Sequence, residues 1–190
     1  MFMYIPKKSK EIYNTVIAHR GYHEIYPENT IKSYIEAIRH NMAIELDIRM
    51  TKDGYIICMH DRYTKRLLGK KGKTSNMYLK ELKECKIKNS NEKIPLLEEV
   101  LKVVKGNVPL LIEVKGFLNN QFNKKLFYYI SNYDGKVYFH AKNVITYFIL
   151  RSIWVDKVFY ILNPFRKRFN FIKTKYYKNK LSNNYNLNIS

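Results

Sequence analysis

Six short apolar runs are spaced along this chain, and the first four carry charge at their C-terminal ends. No other feature narrows the fold so much. The runs are Thr15–Arg20 (TVIAHR), Ala43–Ile48 (AIELDI), Tyr55–His60 (YIICMH), Val108–Lys115 (VPLLIEVK), Lys136–His140 (KVYFH) and Lys157–Leu162 (KVFYIL). Each is rich in Val, Ile, Leu, Tyr or Phe and is bounded by polar or turn residues, which predicts strands. Strands covered on both faces read as continuous apolar runs. Here the runs are interrupted by His19–Arg20, by Glu45 and Asp47, by His60–Asp61, and by Glu113 and Lys115.

Helical patterns lie between several of the strands. Asn29 or Thr30 can cap a helix to about His40, with Ile31, Tyr34, Ile35 and Ile38 at i, i+3, i+4 and i+7. Tyr78–Lys86, Asn120–Ser131 and Val144–Ile153 fit helices as well. So does Leu96–Val104, with Pro95 before it and Gly106 after it. Strands alternating with helices predict an α/β fold with a mainly parallel sheet. Only the second-to-third link, Thr51–Gly54, is too short for a helix.

Strand alternation then places the charges. Glu45 and Asp47 share one face of their strand, and Glu113 and Lys115 share one face of theirs. If the opposite, apolar faces pack on helices, the charged set points into a barrel near its carboxyl rim, where barrel active sites lie. Three carboxylates gathered there must be offset by protons, by Arg20 and Lys115, or by a cation, because an unpaired buried carboxylate costs several kcal/mol. Oxygen ligation by Glu45, Asp47 and Glu113 suits a hard divalent ion, Mg²⁺ or Ca²⁺. A buried salt-bridge network, with Arg20 and Lys115 holding the acids, also explains them, but not why two histidines end strands. His19 and His60 together favour acid–base chemistry.

Composition sets the outer limits. The 190 residues suffice for one domain, and the chain is 46% hydrophobic and 27% charged. No run is long and apolar enough for a membrane helix, and the MFMYI start is too short for a signal peptide, so a cytoplasmic location, free or peripheral to the membrane, is the expectation. Cys58 and Cys85 form no metal-binding spacing. The net charge is +19. No acidic residue follows Asp156, whereas Lys157, Arg166, Lys167, Arg168, Lys173, Lys175, Lys178 and Lys180 do. Such a tail is either a solvated basic segment or a contact for an anionic lipid or a polyanionic polymer. No nucleic-acid motif is present, and nucleic acid is not expected as a partner. Asn163–Pro164 divides the chain into an expected domain at 1–163 and a basic, aromatic-rich tail at 164–190.

The charged strand ends belong to a longer ordered set. HRG at His19–Gly21, PENT at Pro27–Thr30, ELD at Glu45–Asp47, TKDG at Thr51–Gly54, HD at His60–Asp61, IPLLEEVL at Ile94–Leu101 and IEVK at Ile112–Lys115 occur in that order. In this the chain closely resembles the glycerophosphodiester phosphodiesterase family. The resemblance implies a TIM-type (β/α) barrel of the phosphatidylinositol-phospholipase-like superfamily. It implies Glu45, Asp47 and Glu113 as ligands of one divalent cation, His19 and His60 as the acid–base pair, and Arg20 and Lys115 as phosphate-binding cations. The activity it implies is metal-dependent hydrolysis of a small glycerophosphodiester to sn-glycerol 3-phosphate and an alcohol. Asp61 is placed to orient His60 or to serve a turn.

The chain also departs from that family. Six strands are legible where the barrel has eight, and His140–Asn143 stands where relatives often carry a Ser-Phe pair. The exposed sheet edges could be covered by the tail or by a homodimer. The alternative reading is a shortened, weakly active or non-catalytic paralogue that binds a glycerophosphate-bearing ligand or polymer.

Overall fold

The computed structural model describes residues 12, 15–116, 119–141, 144–154 and 158–160. All six expected strands are present: β1 (Ile17–His19), β2 (Ala43–Met50), β3 (Ile56–Cys58), β4 (Leu110–Val114), β5 (Val137–Ala141) and β6 (Val158–Tyr160). They form one sheet in the order β1-β2-β4-β5-β6, with β3 attached to β2. The helices are α1 (Ile31–Arg39), α2 (Lys65–Leu68), α3 (Leu79–Glu84), α4 (Leu97–Val104), α5 (Asn120–Ser131) and α6 (Val144–Ile153). The sequence pattern anticipates all of these but α2, whose four residues are too few to show a period. The tail at 164–190, with its expected domain boundary and covering role, lies outside the described residues.

Five strands are parallel; β3 is the exception. It runs antiparallel to β2, with Ile48 opposite Cys58 and Met50 opposite Ile56. The reason is the short link: four or five residues can close a hairpin but cannot carry a parallel crossover. β4 pairs with β2 along Ile44–Ile48, so β1 (on Ala43–Glu45) and β3 (on Ile48–Met50) share the other edge of β2. The hairpin therefore climbs beyond the end of β1 and returns. His60 reaches the carboxyl rim by descending to it, not at the end of a parallel strand.

Alternation divides the side chains as expected. Ala18, Ile44, Leu46, Ile48, Leu110, Ile112, Val114, Val137, Phe139 and Ala141 join the main core with Tyr34 and Ala37 of α1, Leu97, Val100 and Val104 of α4, and Phe122, Leu126 and Ile130 of α5. The intervening residues face the other way. Ile35, expected on the apolar stripe of α1, is 36% exposed, and Ala37 takes the buried place. In β3 the alternation serves two cores: Ile56 and Cys58 enter the main one, whereas Ile57 and Met59 pack with Leu67, Leu68, Met77, Leu82, Ile87 and Ile94. This second cluster fixes the segment that carries His60 and Asp61.

Candidate active site

On the face turned away from the helices, strand register stacks side chains in two rows. The lower row is His19, Glu45, Leu111 and Tyr138, and the upper row contains Asp47, Glu113 and His140. Glu45 and Asp47 are 1% exposed and Glu113 is 3% exposed, so three carboxylates are buried together at the carboxyl ends of β2 and β4.

Their partners are particular. The Arg20 backbone N–H donates to Glu45 Oε2 at 2.9 Å, because Arg20 and Gly21 adopt positive φ (58° and 77°) and turn the chain sharply after β1. Gly21 suits that turn, and a Cβ there would also collide with Ser33. Asp47 is held by four groups. Lys115 Nζ lies 3.2 Å from its Oδ1 and Arg20 Nε lies 3.4 Å from its Oδ2. Asn29 Nδ2 donates to Oδ2 at 3.1 Å, and the Asp47 backbone N–H donates to Asn29 Oδ1 at 3.2 Å. Lys115 also pairs with Glu113.

These contacts set the protonation. Burial pushes the Glu45 carboxyl well above the ordinary value, and repulsion from Asp47 and Glu113 adds to it. Burial acts the same way on Asp47, but Lys115, His60, the Asn29 hydrogen bond and Arg20 outweigh it and hold that carboxyl down. Glu113 is also held down against burial, by His140 and Lys115. Two cations thus offset two carboxylates, leaving Glu45 as the group without a matched charge.

Glu45, Glu113 and His140 each present a ligand atom, and these atoms lie within 4.8 Å of one another. Two carboxylates and an imidazole at that spacing fit a divalent cation. His140 is the residue the sequence reading left out. It lies beside Glu113 in register, its Nδ1 3.5 Å from Glu113 Oε2, and is buried. Asp47, expected as a ligand, stands on the same face but outside that triad, engaged by Lys115, Arg20 and Asn29.

Both expected acid–base histidines reach the rim and are partly exposed. His19 Nε2 is 3.9 Å from Glu45 Oε2. His60 Nδ1 is 2.9 Å from Asp61 Oδ1, and Asp61 is held ionised, against burial, by Arg66 and His60. An ionised carboxylate can only accept, so in this contact Nδ1 carries the proton and donates it to Asp61. Asp61 therefore orients His60. Asn29, too, is more than a capping residue, and Glu28 supports the site. Thr30 caps α1, accepting from the Ser33 N–H at 3.2 Å, while Asn29 positions Asp47. Glu28 binds Arg20 Nη1 at 3.1 Å and Arg66 Nη1 at 2.9 Å. The PENT motif is the signal that could have revealed this, since a cap explains only one of its residues.

A parallel α/β sheet with buried acids, imidazoles and cations at its carboxyl rim has the arrangement of a barrel-type protein, with a triad spaced for a divalent cation beside Arg20 and Lys115. Residues 19–146 match the model of the Glycerophosphoryl diester phosphodiesterase family, and the chain belongs to that family. It is 32% identical over 145 residues to YhdW of Bacillus subtilis, covering 73% of this chain and 58% of that one. It is 35% identical over 107 residues to the glycerophosphodiester phosphodiesterase of Bacillus altitudinis, covering 53% and 44%. The chain thus spans about half the length of these relatives. Among solved structures, it resembles a phosphodiesterase of Oleispira antarctica in complex with sn-glycerol-3-phosphate (TM-score 0.70, 21% identity, 90% of this chain and 81% of that one). It also resembles the Thermotoga maritima glycerophosphodiester phosphodiesterase (TM-score 0.63, 25% identity, 89% and 69%). The sheet is accordingly part of a TIM-type barrel.

Proposed function

We propose that this chain hydrolyses glycerophosphodiesters to sn-glycerol 3-phosphate and an alcohol, aided by one divalent cation. The observation that carries the reading is the convergence of Glu45, Asp47, Glu113, Arg20, Lys115 and His60 from four separate segments onto one rim, within a chain of this family. Glu45, Glu113 and His140 would hold the cation, with Asp47 adjoining. When bound, Mg²⁺ or Ca²⁺ supplies Lewis-acid neutralisation of charge on the phosphoryl oxygens.

The chain's own groups do the rest. Arg20 and Lys115 bind the phosphate and offset the charge that grows on its oxygens. His60, oriented by Asp61, exchanges a proton at Nε2, and His19 exchanges the other on the opposite side of the reaction. Location in the cytoplasm, free or peripheral to a membrane, belongs to the same proposal and is checked by cell fractionation. Among the described residues no helix is long and apolar enough to cross a membrane.

A metal-dependent assay on glycerophosphoglycerol tests the reading. Activity is expected to vanish with chelator and return with Mg²⁺ or Ca²⁺. His19→Ala and His60→Ala should each lose at least about 10²-fold in kcat, the usual scale for an acid–base group. Full turnover by either variant removes that histidine from the mechanism. Substrate binding without turnover by the wild type would replace hydrolysis with the ligand-binding alternative.

A further inference from the structure

Beside the carboxylate centre lies an open cavity of about 600 Å³, most of whose lining the reaction as described does not use. His60 and Lys115 form the wall it shares with the site, and the rest of its charged lining is Arg49, Arg62, Lys65, Arg66, Lys88 and a single acid, Asp61. Arg66 is occupied by Glu28 and Asp61. The other four form no direct ion pair: among the described residues, no carboxylate lies within ion-pair distance of Arg49, Arg62, Lys65 or Lys88. Arg49 is half-buried and spends its Nε and Nη2 on a neutral acceptor, the His60 carbonyl, at 3.0 and 2.6 Å. Burial opposes its charge and outweighs the attraction of Asp47, Asp61 and Glu113, and Arg62 adds a smaller repulsion. Like charges gathered in a concave site repel one another unless an anion joins them.

We infer that this cavity is a second anion subsite, which receives a phosphate carried by the alcohol portion of the substrate. The inference rests on the proposed hydrolysis and specifies its substrate class. A phosphate at the carboxylate centre contacts Lys115 and His60, so a group extending past them enters the cavity. The glycerol substituent carries only hydroxyls and has no charge to offer four cations, so the cavity matches the other substituent. Its cations complement a phosphate, which arginine grips through paired N–H groups and lysine as a point charge. The same cations disfavour a quaternary ammonium or ammonium head group. The preferred substrate is therefore a glycerophosphodiester bearing a second phosphate one alcohol unit away, either on a small head group or as the next unit of a glycerol phosphate chain.

The test compares kcat/KM for glycerophosphoglycerol with that for glycerophosphoglycerol carrying a terminal phosphate, in wild type and in Arg62→Gln/Lys65→Gln/Lys88→Gln. These three side chains are exposed, so the variant folds, which a thermal melt verifies. The phosphate-bearing compound is expected to be preferred at least tenfold, with a preference that shrinks as salt is raised and collapses in the triple variant. Equal kcat/KM for the two compounds, or an unchanged ratio in the variant, overturns the subsite while leaving the proposed hydrolysis intact. If neither compound is turned over, hydrolysis fails, and binding of the phosphate-bearing compound measured by calorimetry still decides the subsite. Loss of that binding in the triple variant supports it, and undiminished binding refutes it. A poly(glycerol phosphate) chain run in parallel distinguishes the two sources of the second phosphate: a higher kcat/KM than for the short compound assigns it to a polymer, and parity assigns it to a head group.

Discussion

Asn29 shows how one side chain can hold a centre together. Its amide donates to Asp47 Oδ2 at 3.1 Å, while its carbonyl oxygen accepts from the Asp47 N–H at 3.2 Å and from the Tyr34 hydroxyl at 2.9 Å. It is 1% exposed, and it adopts a positive φ of 53° that asparagine tolerates better than most residues. Asn29→Ala leaves three buried polar groups short of a partner. We expect it to destabilise the fold by about 1–3 kcal/mol, the cost of an unsatisfied buried group, as read by urea denaturation. Activity should fall further than the loss of folded protein explains, because Asp47 loses its alignment. His140 poses a different question. If it completes the cation site with Glu45 and Glu113, then His140→Ala and Glu113→Gln should each weaken Mg²⁺ or Ca²⁺ binding at least tenfold by calorimetry. Unchanged binding in His140→Ala would return the third position to Asp47.

At the scale of elements, the Glu28–Arg66–Asp61 network ties the PENT turn ahead of α1 to the segment that follows β3. Burial raises the Glu28 carboxyl, but Arg66 and Arg20 outweigh it and hold it below its ordinary 4.5, and Arg66 and His60 likewise hold Asp61 below its ordinary 3.8 against burial. Carboxyls depressed in this way bind fewer protons folded than unfolded. The stability they contribute is complete above the unfolded values and is lost as pH falls through the folded ones. Wild type and Glu28→Gln should therefore differ most near neutral pH and converge as pH falls below 4.5 and through the lower folded value, as followed by thermal melts across a pH series. A difference that widens on acidification would contradict this. Capping offers a simpler check on α1. Thr30→Ala removes the acceptor of the Ser33 N–H and should cost about 1 kcal/mol, with kcat changing far less than in Asn29→Ala.

Across the whole molecule, stability is concentrated in the middle of the sheet. β2 is paired on both edges and β4 lies between β2 and β5, whereas β1 and β6 end the sheet among the described strands. Hydrogen exchange should therefore be slowest for amides of Ile44–Ile48 and Leu110–Val114 and faster in β1, since opening free energy follows burial and pairing. Uniform exchange across the sheet would mean that further chain, or a second copy, covers its edges. The charged rim lies at the carboxyl end of these same central strands, so the most protected backbone carries the buried acids. That placement keeps the carboxylates close together despite their repulsion.

Much of this protein could be read from residue order alone. Apolar runs broken by Glu45, Asp47, Glu113 and Lys115 give the strands, their inward face and the acidic centre, because alternation along a strand is a local property of the backbone. The spacing at Ile31–Ile38 and at Leu97–Val104 gives α1 and α4 for the same reason. What the chain could not show locally was set by register and topology. That His140 lies beside Glu113, that β3 folds back so His60 descends to the rim, that Asn29 reaches Asp47, and that Arg49, Arg62, Lys65 and Lys88 surround one cavity are all contacts between residues distant in sequence. Such contacts exist only once strands pair and cores close, and no local periodicity encodes them.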